Sequence, residues 1–82
     1  MNYIILILKR IAEFEENTNY TISHVELTND AMLELEREME SIRGSRYHFE
    51  LKTFDFWLDN GFIKEENTNM NEITVIAQAN YI

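Results

Sequence analysis

The sequence predicts an α+β fold of three helices and a small antiparallel sheet, and three observations carry that expectation. Apolar residues recur at helical spacing in three stretches, within residues 2–16, 29–43 and 46–60. Residues 20–27 lie between the first two and are enriched in β-branched side chains, as a short strand requires. Beyond Asn60-Gly61, residues 62–66, opened by Phe62-Ile63, and the run 72–79 read as the two arms of a β-hairpin, with 67–71 as a polar tip of about five residues.

In the first helix, Ile4, Ile7, Leu8, Ile11 and Phe14 fall on one face, with Lys9, Glu13 and Glu16 off it. Six consecutive apolar residues at its start would also suit a buried strand, but the helical period continues unbroken from Lys9 to Glu16. Ile5 and Leu6 lie outside the stripe, which makes them candidates for a second buried side or a partner contact. Asn17-Thr18-Asn19 is turn chemistry. In the strand over 20–27 the alternation is imperfect, so either face could be the buried one.

Thr28, Asn29 and Asp30 are three possible N-caps for the second helix. Its stripe is Met32, Leu35, Met39 and Ile42, with Ala31 beside it. The opposite face carries Glu34, Glu36, Arg37, Glu38 and Glu40, whose like-charge pairs four apart oppose the helix in isolation. Tertiary packing must hold it. Gly44 ends this helix and Ser45 can cap the next. In the third helix Tyr47, Leu51, Phe54, Trp57 and Leu58 form the core stripe, while Phe49 and Phe56 sit on the outer face. Gly61 suits the helix C′ position, where a positive φ is needed. In the last strand Ile73, Val75, Ala77 and Ala79 alternate with Thr74, Ile76, Gln78 and Asn80, giving one apolar side. Glu-Glu-Asn-Thr-Asn occurs at both 15–19 and 65–69, which is too short a match to mark a structural repeat.

Composition bounds the function. Eighty-two residues make one domain, 1–82, and 45% hydrophobic residues are ample for one core. With no cysteine there is no disulfide framework and no thiolate chemistry, which fits a cytoplasmic protein. The apolar run 3–8 is too short to span a bilayer and lacks the flanks of a signal peptide. Seven Lys and Arg against fifteen Asp and Glu give a net charge of −8. That charge disfavours nucleic acid, since phosphate contacts supply most of such affinity, so any DNA reading rests on a local basic patch. Abundant Ile and Asn suggest a low-GC bacterium or its phage as the source.

The junction Phe54-x-x-x-Leu58-x-x-Gly61-Phe62-Ile63, together with the order helix, strand, helix, Gly-containing turn, helix, hairpin, resembles winged helix–turn–helix domains. The resemblance implies a winged-helix fold with a hairpin wing. It also implies a small DNA-binding transcriptional regulator whose third helix enters the major groove; a homodimer is expected, because dimerisation would supply the affinity that one acidic monomer lacks. Carried over by position, Arg46, His48, Phe49 and Lys52 would face DNA, with Arg43 and Ser45 near phosphates. Asp55 and Asp59 reverse the charge halfway along that helix, and the expected wing tip is acidic apart from Lys64 at its base. The competing class is an acidic protein-binding module, in its strongest form an inhibitor mimicking the charge of DNA. For it, and for a homodimer, Ile5, Leu6, Phe49 and Phe56 are the candidate interface.

Catalytic chemistry finds little support. On a strand His24 and Glu26 share a face and could supply two metal ligands, but no third is evident, and an ordinary His/Glu pair explains them. His48 and Glu50 point about 200° apart on a helix. No Gly-rich phosphate loop and no nucleophile elbow occurs. The expectation is therefore a binding protein without metal or cofactor, not an enzyme.

Overall fold

The computed structural model describes residues 2–16, 19–44, 46, 48–67 and 71–79, with backbone alone at Asn2 and His48. The elements follow as α1 (Asn2–Glu15), β1 (Tyr20–Leu27), α2 (Asn29–Ile42), α3 (His48–Asp59), β2 (Ile63–Glu65) and β3 (Ile73–Ala79). The architecture is α+β: three helices and a three-stranded mixed sheet. The expected Ser45 cap, the Tyr47 ring and the turn tip at 68–70 lie outside the described residues.

The three periodic stripes build the core. Ile4, Ile7 and Ile11 of α1, Ala31, Met32, Leu35 and Met39 of α2, and Leu51 and Phe54 of α3 are buried around Val25, Leu27, Ile63 and Ile73 of the sheet. Burying each of the larger of these side chains contributes about 1.5–3 kcal/mol, which holds α2 against its outward row of glutamates. Thr28 caps α2, its hydroxyl oxygen accepting from the Ala31 amide at 3.3 Å. Gly44, at φ 85°, separates α2 from α3, so the two helices remain distinct.

α3 ends in a Schellman turn. The Phe62 amide donates to the Trp57 carbonyl at 2.8 Å and the Gly61 amide to the Leu58 carbonyl at 3.3 Å, with Gly61 at φ 72°. The apolar contact that accompanies such turns is present: the Trp57 and Phe62 rings lie 5.2 Å apart. This turn delivers Ile63 directly into the core.

The sheet corrects the expected antiparallel hairpin. Strand order is β2-β1-β3: β2 pairs parallel to one edge of β1, and β3 pairs antiparallel to the other. The segments on either side of 66–72 therefore do not pair with each other. Hydrogen bonds show how the chain crosses the end of β1. The Val25 amide donates to the Phe62 carbonyl at 2.6 Å and the Glu66 amide to the Leu27 carbonyl at 2.7 Å. Asn67 Oδ1 then accepts from the Asn29 amide at 2.8 Å. On the far side the Thr28 amide donates to the Glu72 carbonyl at 3.1 Å. A central β1 buries Val25 and Leu27 between two neighbours, which a hairpin standing away from the domain could not do.

A β-bulge explains the irregular alternation of β1. Pairing runs Leu27↔Ile73 to His24↔Ile76, then resumes at Ile22↔Ala77, leaving Ser23 as the extra residue. The shift returns Ile22 to the side of Val25 and Leu27, where it packs against the core.

α1 has no acidic residue in its own first turn. Glu38 of α2 takes that role: its two carboxylate oxygens accept from the Tyr3 amide at 3.0 and 2.8 Å, and Oε1 also from the Ile4 amide at 3.3 Å. The Tyr3 hydroxyl donates to Glu72 Oε2 at 3.0 Å. That hydrogen bond, with burial and the negative charge nearby, raises the Tyr3 pKa above the usual tyrosine value. A phenol pKa raised by folding adds stability that is present below pH about 10 and lost as pH rises through the folded-state value. Urea titrations across that range should show a steeper alkaline loss for the wild type than for Tyr3→Phe. Equal slopes would remove this role of the hydroxyl.

Candidate functional site

The outward face of α3 collects the residues that the sequence singles out. Leu51 and Phe54 point inward. On the opposite side of a helix with 3.6 residues per turn lie Phe49, Lys52, Thr53 and Phe56, all exposed. Phe49 is 79% exposed and Phe56 64%, so neither α1 nor the rest of the described chain covers them. Two rings seven residues apart stand two helical turns from each other, forming a short apolar ridge.

The basic residues around the ridge divide. Arg43 is drawn into the protein's own acids: Nε lies 3.2 Å from Glu40 Oε2, and Nη1 lies 3.7 Å from Asp55 Oδ2. It ties the end of α2 to the side of α3. Lys52 and Arg46 are exposed. Ser45 and the His48 side chain lie outside the described residues.

Ile5 and Leu6 are 56% and 36% exposed on α1, apart from the buried Ile4, Ile7 and Ile11. Leu6 lines a recess of about 250 Å³ with Arg10, Asn71, Glu72 and Ile73, beside the start of β3. The structure thus splits the four candidate interface residues: Phe49 and Phe56 lie on α3, Ile5 and Leu6 on α1.

On the sheet face away from the core, His24 Nε2 and Glu26 Oε2 are 3.4 Å apart. His24 Nδ1 also meets Ser23 Oγ at 3.0 Å. Both ring nitrogens therefore have protein neighbours. Among the described residues no group of three or more His, Asp or Glu is placed to hold a metal ion. No helix of the described residues is long and apolar enough to cross a membrane.

Sequence reasoning located the Phe49/Phe56 ridge from periodicity alone. It missed the Arg43 bridge and the Glu38 cap, because both depend on how α2 meets its neighbours and no local spacing encodes that. The chain matches no family model, no curated protein and no solved structure.

Proposed function

We propose that this chain is a protein-binding module that presents the outward face of α3 to another protein. In this reading a winged-helix-like arrangement of three helices serves as the scaffold. The carrying observation is the exposure of Phe49 and Phe56 on one face of a helix whose other face is in the core. Large aromatic rings are the commonest anchors of protein interfaces, and leaving two of them in water is costly unless a partner removes that surface. A net charge of −8 points to a partner with an apolar groove bordered by basic side chains.

The DNA-binding reading has one observation in its favour, the exposed Lys52 and Arg46 on or beside the same helix. Against it stand the net charge, the engagement of Arg43 with Glu40 and Asp55, and the use of β2 and β3 to flank β1 instead of forming a wing.

Two measurements decide between them. The wild type should show no binding to random duplex DNA at low salt, where counterion release favours binding most. Phe49→Asp/Phe56→Asp should lose partner protein retained from a lysate of the source cells by tenfold or more, with stability changed by only about 0.5 kcal/mol, as for exposed sites. DNA binding abolished by Lys52→Glu would replace this reading with the regulator. Undiminished partner retention by the double variant would remove the α3 face from it.

A further inference from the structure

A second surface, independent of whatever α3 binds, lies on the free edge of the sheet. β3 is seven residues long, and Ile73 to Ala79 contain no charged residue, proline or glycine. Proteins usually guard a strand edge with lysine, proline, a bulge or a covering element. Among the described residues the bulge is on β1, not β3.

The hydrogen-bond pattern shows which groups the edge presents. The Val25 amide is committed to Phe62 on the β2 side. Val25 and its partner Val75 are therefore a non-hydrogen-bonded pair of the antiparallel ladder. The Thr28 amide bonds to Glu72, in phase with that assignment. It follows that the N–H and C=O groups of Ile73 and Val75, and by alternation of Ala77 and Ala79, point away from β1. Among the described residues, no backbone hydrogen bond is made on that side.

We propose that the free edge of β3 pairs antiparallel with β3 of a second copy, extending the sheet to six strands about a two-fold axis at Ile76. Centring on Ile76 matches the full length of the strand with itself, setting Val75 against Ala77 and Ile73 against Ala79 of the second copy. Core-side residues then meet core-side residues, and no charges oppose each other although each chain carries −8. The register also accounts for Thr74, whose Oγ1 is buried without a hydrogen-bond partner. In this register Thr74 stands opposite Gln78 of the second copy, and rotation about χ1 turns the hydroxyl toward that amide. On the helical side, Leu6 beside Ile73 supplies apolar cover near the junction.

Sedimentation equilibrium tests the proposal. The wild type should have the mass of two chains, and its Val75 amide should exchange more slowly as concentration rises. Thr74→Lys/Gln78→Lys sets lysines opposite lysines at two symmetric places and should weaken association by about tenfold or more. Thr74→Lys/Gln78→Glu sets opposite charges there and should restore it, a recovery that an unfolded variant cannot imitate. A wild type of single-chain mass up to about 1 mM, or Val75 exchange independent of concentration, would overturn the proposal. So would equal association of the two double variants. A single-chain mass leaves the α3 reading standing, because partner retention through Phe49 and Phe56 is measured separately.

Discussion

Phe54→Ala should lower the free energy of unfolding by about 3–5 kcal/mol, the range for removing a buried aromatic ring. Phe54 is completely buried and meets Trp57 edge-on, with ring centroids 5.2 Å apart. A chain of this length has a total stability of only about 4–12 kcal/mol, so the variant stands close to unfolding at ambient temperature. Two residues further on, Phe56→Ala removes the same group from an exposed position and should cost no more than about 0.5 kcal/mol. Urea titration followed by the fluorescence of Trp57, the sole tryptophan, measures both. Equal losses for the two variants would mean that α3 does not have one buried and one exposed face. The candidate interface would then fall with the core assignment.

That contrast shows what a single sequence encodes well. Helical period alone separated Phe54 from Phe56, and it separated Ile4, Ile7 and Ile11 from Ile5. Period is a local property, and burial of one face follows from it directly. Gly61 was legible for a similar reason, since one residue type suits a left-handed C′ position. Strand pairing was not legible. Alternation in 73–79 shows which side chains face the core, but it carries no information on which neighbour the strand takes. Two strands separated by an Asn-rich loop suggest a hairpin on proximity alone. Here β1 outcompetes the hairpin, because it is the more apolar partner and has two edges to offer. The bulge at Ser23 hid even the facing of β1, since one extra residue reverses the alternation halfway along the strand. The candidate site divides in the same manner. Its aromatic ridge follows from spacing, whereas the loss of Arg43 to Glu40 and Asp55 depends on the approach of two helix ends.

Glu38→Ala should destabilise the protein by about 1–3 kcal/mol, although Glu38 is one of a row of glutamates that spacing alone would assign to solvent. Its carboxylate receives the Tyr3 and Ile4 amides, two of the four N–H groups that the first turn of any helix leaves without an internal acceptor. α1 brings no acidic residue of its own to that turn, so truncation also removes the negative charge nearest the positive end of the helix. Glu38→Gln keeps one acceptor oxygen and loses the charge, and should fall between wild type and alanine. Glu36→Ala, an exposed neighbour on the same helix, should change little. Amide exchange adds a site-specific readout: protection at Ile4 should fall in Glu38→Ala before any change at Met39. If Glu38→Ala and Glu36→Ala prove equally mild, the cap contributes nothing and α1 is held by its isoleucines alone. If the cap acts as described, one glutamate fastens the start of α1 to α2 across thirty-four residues of chain, placing α1 where Leu6 reaches the β3 edge.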